Sequence, residues 1–141
     1  MQLMSTDVIC FTVLFLTPPS GNHFKEPIRY RSPNGSPRLG FKLTAETKAY
    51  YDAVQIFAQG RTVSPETAAE RRKVRYTVEI DVYLGEKQRG DADNFLKCGI
   101  DALVRAGVIH SDANVFQTSA RVHKDSRHDP HTTYLVTRME N

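Results

Sequence analysis

Cysteine is scarce: Cys10 and Cys98 are the only two in the chain, widely separated and each among apolar neighbours. That pattern excludes a disulfide framework and a zinc pair, and it points to a reduced, cytoplasmic setting. Long apolar runs are missing too. The longest, residues 8–16, falls well short of the roughly 20 residues that cross a bilayer. No basic residue precedes it, as one would in a leader, so it reads as a strand and no membrane partner is expected. Net charge is also small, formally +3, too little by itself to argue for nucleic acid. No internal repeat or low-complexity segment is visible.

What is present is the make-up of a folded domain. Apolar residues form 40% and charged residues 25% of the chain, which excludes disorder for most of it. At 141 residues the chain suits a single domain, 1–141, with a core of ordinary size. Met4 offers an alternative start. Charge is unevenly spread: residues 1–76 carry eleven Lys and Arg against six Asp and Glu, and the remainder eight against ten. A basic front and an acidic back suit a phosphate-binding surface beside a metal centre, although solvated faces explain the same charges.

Patterning predicts an α+β class, with strands and helices mixed without strict alternation. Val8 to Leu16 is expected as a strand buried on both faces, ended by Thr17-Pro18-Pro19-Ser20-Gly21-Asn22. A polar loop is expected from there to Gly40, carrying Lys25, Arg29, Arg31 and Arg38, long enough to suggest a binding role. Thr44 reads as the N-cap of a helix to about Gln59, with Tyr50, Val54 and Phe57 at helical spacing and Gly60 as its stop. Ser64-Pro65-Glu66 suggests the start of a short second helix. Val74 to Leu84 alternates apolar and polar residues as a half-buried strand does. A helix from about Asn94 to Ala106 follows, with Leu96, Ile100 and Leu103 as its apolar stripe and Gly107 as its cap. Val115 to Val122 and Thr132 to Met139 read as strands joined in a hairpin.

The chemistry-bearing residues cluster around the second long helix. In extended backbone Asp91 and Asp93 project to the same side, where two carboxylates can share a hard cation. Lys97 lies one helical turn beyond Asp93 and faces the same way. Asp112 follows the helix and joins the pair if the chain folds back alongside the helix start. Such crowding is unfavourable without a cation, and useful with one. Simpler explanations exist for each part. Asp-x-Asp-Asn before a helix is commonly a turn and an N-cap. Lys97 and Asp101 alone are an i,i+4 ion pair worth about 0.3–0.5 kcal/mol. Asp112 alone is an ordinary turn residue.

Taken together, Asp91-Ala92-Asp93-Asn94-Phe95-Leu96-Lys97, Asp101-Ala102-Leu103, Ala106-Gly107-Val108 and Asp112-Ala113-Asn114-Val115 resemble the signature half of the RusA family of Holliday junction resolvases. Pro18-Pro19-Ser20-Gly21-Asn22-His23, and Leu43-Thr44 opening a helix with Tyr50 or Tyr51, resemble its N-terminal half. The chain departs from the family pattern at Gly90 and Ala92, where proline and a larger apolar residue are common, and at Ser111, where a second acid is common. Its segment from Asn22 to Gly40 is also longer than the short versions.

The resemblance implies a small mixed β-sheet packed by two main helices. It implies an endodeoxyribonuclease of crossover junctions, acting in recombination and repair, with Asp91, Asp93, Lys97 and Asp112 as catalytic residues. Asp91, Asp93 and Asp112 would hold Mg²⁺, with Mn²⁺ as a substitute. A homodimer is implied as well, since a four-way junction offers two strands to cut. The alternatives are a nuclease for flaps or forks, a junction-binding protein without catalysis, and a structural interaction domain.

Arg89, Arg71, Arg72 and Lys73 are the candidate DNA contacts, with mobile turns or a charged loop as the plain explanation. Glu79 and Asp81 read as a solvated or ion-paired strand face. His123, His128 and His131 lack cysteine partners and read as a solvated hairpin. Cys98 lacks a histidine base and reads as core.

Overall fold

The computed structural model describes residues 7–19, 25–85, 88, 92–124 and 129–139. Arg89, Asp91 and His128 fall outside the described residues. Among those described, the element order is β1 (Val8–Leu14), β2 (Lys25–Arg31), β3 (Pro37–Leu43), α1 (Ala45–Ala58), α2 (Ala68–Lys73), β4 (Arg75–Tyr83), α3 (Ala92–Arg105), β5 (Val115–His123) and β6 (His131–Met139). A single 3-10 turn, Asp112–Asn114, leads into β5.

Four strands make one mixed sheet in the order β1-β6-β4-β5. β6 is antiparallel to β1 and β4, and β5 is parallel to β4. The central strand β4 carries the alternation expected of it: Tyr76, Val78, Ile80 and Val82 are buried, and the residues between them are not. The cross-strand pairs Ile80↔Tyr134 and Val78↔Val136 continue the buried row into β6, and Ile9↔Val136 and Phe11↔Tyr134 continue it into β1. Phe11 and Tyr134 stack at 5.1 Å. α1 and α3 lie on this apolar face and pack against each other, giving the α+β architecture that the patterning predicts.

α1 has the caps its sequence announces. The Thr44 side chain accepts a hydrogen bond from the Thr47 amide, and Gln59 takes a left-handed conformation ahead of Gly60. Tyr50 and Val54 are buried, together with Thr47, Tyr51 and Ala58, while Phe57 is half-buried. The short helix begins later than expected, at Ala68, capped by Thr67. On α3 the buried stripe is Phe95, Cys98, Ala102 and Leu103, with Leu96 and Ile100 only half-buried. The stripe is rotated from the expected one because Gly99 lets the helix settle close to the sheet. A Cβ there would stand 2.8 Å from Ile80 Cδ1 and 3.3 Å from the Tyr134 hydroxyl.

Three expectations are corrected. β1 is an edge strand with one buried face: Ile9, Phe11 and Val13 are buried, while Val8, Cys10 and Leu14 are exposed. Among the described residues no helix covers its outer face. The segment expected as a polar loop contains an antiparallel hairpin, β2 with β3, from Lys25↔Leu43 to Arg31↔Pro37. Its turn is set by Gly35 at φ 85° and by the Asn34 side chain accepting from the Ser36 amide. Finally, β5 and β6 are not paired with one another, because β4 lies between them. Parallel pairing needs a long crossover, and α3 supplies it from β4 to β5.

Candidate functional site

α3 places three of the motif's side chains in a row. Asp93 is exposed in its first turn, where the helix dipole favours negative charge. Lys97 and Asp101 follow at intervals of four, each about 40° round the axis and about 6 Å further along it. The approach of the 3-10 turn gives the row its partner. Asp101 and Asp112 line one open cavity of about 330 Å³, together with Val104, Arg105, His110 and Ser111.

Burial first, and then the neighbouring Asp112 carboxylate, push the Asp101 carboxyl above its ordinary range; Lys97, Lys25 and Arg105 partly offset this. Lys25, at the start of β2, brings the hairpin's base to the same spot. The structure therefore unites Lys97, Asp101 and Asp112. It does not gather Asp93 with them: among the described residues no three Asp, Glu, His or Cys side chains are arranged to hold a metal. The rise from Asp93 to Asp101 is about 12 Å along the helix. Two adjoining carboxylates are nonetheless the hard-oxygen donors a divalent cation takes, and Mg²⁺ often uses only one or two of them plus substrate phosphate.

Sequence reasoning set Asp101 aside as half of a helical ion pair and missed His110. The i,i+4 spacing from Lys97 was the available signal for Asp101. His110 carries no sequence signal, because its position depends on the tertiary fold. Its Nδ1 lies 2.7 Å from the Tyr76 hydroxyl, and burial, followed by the charge of Arg71, lowers its pKa. Cys98 is buried in the core, and burial pushes its thiol up to about 12, which leaves it no nucleophilic role near neutral pH.

A basic groove begins on the far side of the same turn. It has a volume of about 490 Å³ and is lined by Arg72, Lys73, Val74, Arg75, Ala113, Asn114, Val115 and Phe116. Asn114 ties the turn to α2 by donating to the Arg71 and Val74 carbonyls at 3.2 and 2.9 Å. The Arg71 guanidinium donates to the Pro65 and Glu66 carbonyls, so it holds the preceding loop, while Arg72 and Lys73 face the groove.

On the sheet face opposite the helices, Asp81 pairs with Arg121 at 3.0 Å and with His123 at 2.9 Å, as expected of an ion-paired face. The histidines there are not simply solvated. His123 and His131 stack on either side of Tyr83, at 4.2 and 4.1 Å, because the three residues are register partners across β5, β4 and β6.

A family model described as endodeoxyribonuclease RusA matches residues 15–134. No curated protein matches the chain. No helix among the described residues is long and apolar enough to cross a membrane.

Proposed function

The chain belongs to the RusA endodeoxyribonuclease family, and from that premise we propose a divalent-metal-dependent resolvase of four-way DNA junctions. The observation that carries the reading to particular residues is the meeting of Lys97, Asp101 and Asp112 beside a basic groove. Endonuclease action on branched DNA is the family's activity; the metal, the residue roles and the biological setting are our reading.

Asp91, Asp93 and Asp112 hold Mg²⁺, for which Mn²⁺ can substitute. A cation held there would supply Lewis-acid chemistry toward a phosphate oxygen and a water. Lys97 places a positive charge where negative charge grows on the phosphate. Asp101, one turn along, holds that ammonium toward Asp112 and keeps it from folding away. Arg72 and Lys73, with Arg89 and the charge of Arg71, bind flanking phosphates.

A homodimer supplies the two sites that paired cuts require. Within one chain α3 sets Asp93 about two turns before Asp101, the carboxylate that neighbours Asp112. A two-fold assembly closes that separation if Asp112 of one protomer meets Asp91 and Asp93 of the other. The reaction is placed in recombination and repair.

The deciding experiment compares wild type with Asp93→Asn on a four-way junction, a flap and a linear duplex in Mg²⁺, with binding measured in Ca²⁺. The expected result is junction cutting by wild type, and loss of cutting with binding retained in the variant. Equal cutting by both removes Asp93 from the site. Junction binding by wild type without product in Mg²⁺ or Mn²⁺ identifies a protein that has lost catalysis, and preference for the flap identifies a different branched-DNA nuclease.

A further inference from the structure

Phe116 is an apolar side chain placed in water by its backbone. β4 pairs Tyr76 with Val115 and then Thr77 with Gln117, so the register steps over Phe116 in a bulge. Bulges re-aim a side chain and recur beside active sites. Here the result is a phenylalanine that is 64% exposed, four residues after Asp112. Its surroundings are cationic. The Arg75 guanidinium lies over the ring at 5.0 Å, and Arg72 and Lys73 line the same groove. With Arg75 over the ring, the residue as a whole is still largely open to solvent.

We propose that Phe116 is a stacking platform for a base left unstacked at a DNA branch point, with Arg72, Lys73 and Arg75 holding the adjoining phosphates. The proposal rests on the nuclease reading and adds to it a base-contacting subsite. The pairing of an aromatic face with flanking cations is what single-stranded or unpaired nucleic acid uses, since every base has a π-face and every nucleotide a phosphate. Regular duplex hides its base faces, so the ring discriminates by structure and not by sequence. Self-association is the poorer occupant: a two-fold contact sets a patch against its own copy, and would bring two sets of Arg72, Lys73 and Arg75 into one interface.

The chain contains no tryptophan, so Phe116→Trp introduces a single indole whose emission reports stacking directly. Phe116→Trp, Phe116→Ala and wild type are titrated in Ca²⁺ with a four-way junction and with a linear duplex closed by hairpins at both ends. The expected result is quenching of Phe116→Trp by the junction and not by the closed duplex. Phe116→Ala should bind the junction about 5- to 150-fold more weakly, the equivalent of about 1–3 kcal/mol per stacked base, with the closed duplex unaffected. Unchanged emission on saturation with junction overturns the proposal, as does equal weakening on both DNAs. Conversion of a dimer to a monomer by Phe116→Ala also overturns it, and assigns the ring to a contact between copies. If wild type binds neither DNA in a salt-sensitive way, the nuclease reading itself fails, and that outcome is distinct from binding without quenching.

Discussion

Asp101 meets conditions that a carboxylate normally avoids: partial burial and another carboxylate close by, relieved in part by Lys97, Lys25 and Arg105. Its ionised form is disfavoured in the folded chain, so the folded state binds more protons than the unfolded one between the ordinary value of 3.8 and the raised folded value. Stability from this group is therefore full below the ordinary value and is lost as pH rises through that window. Asp101→Asn is expected to melt above wild type at neutral pH, with the gap closing below about pH 4; calorimetry across pH 3–8 checks this. A gap that widens in acid would refute it. Lys97→Met, which keeps the stem and removes the charge, should lower the cleavage rate on the order of 100- to 1000-fold while junction affinity in Ca²⁺ changes little. Single-turnover kinetics beside binding titrations separate the two. At this scale residue type and spacing put Asp93, Lys97 and Asp101 on one helical row, because a helix repeats on fixed geometry, but gave Asp101 no role beyond an ion pair. Where Asp112 comes to rest depended on tertiary folding, and spacing could not show it.

At the level of elements, the strongly periodic segments were legible. α1, α3 and β4 announce themselves through capping residues and alternation, each a local property. Strand partnership was not legible, since it depends on which buried row a strand extends. β5 and β6 look like hairpin partners along the chain, yet each pairs with β4, which lies between them. The β2–β3 hairpin was missed because its residues remain exposed, including Leu39 at 78% and Phe41 at 75%, so burial never imposed a readable alternation. The close seat of α3 gives a test. Gly99→Val drives a branched side chain against Ile80 and the Tyr134 hydroxyl and should cost about 1–3 kcal/mol, read as a lower urea midpoint. Tyr134→Phe removes the hydroxyl that lies 2.5 Å from the Tyr50 hydroxyl and donates to the Gly99 carbonyl. It should cost about 1–3 kcal/mol by leaving Tyr50 short of a partner.

For the whole molecule, the length of α3 makes assembly and chemistry one question. Asp93→Asn and Asp112→Asn are each expected to be inactive alone. Mixed after unfolding and refolded together, they form dimers in which one site has both native acids only if the site is shared between protomers. Recovery of about a quarter of the wild-type sites, seen as single nicks and not paired cuts, is the expected outcome. No recovery would place every ligand within one chain. The sandwich of Tyr83 between His123 and His131 has a practical consequence for such work. Imidazole protons lying over a phenol ring fall in its shielding region, so two of the chain's five histidines should give magnetic resonance signals displaced from the rest. They sit at the end of β4, and so provide built-in reporters of binding at that end of the sheet without any label being attached.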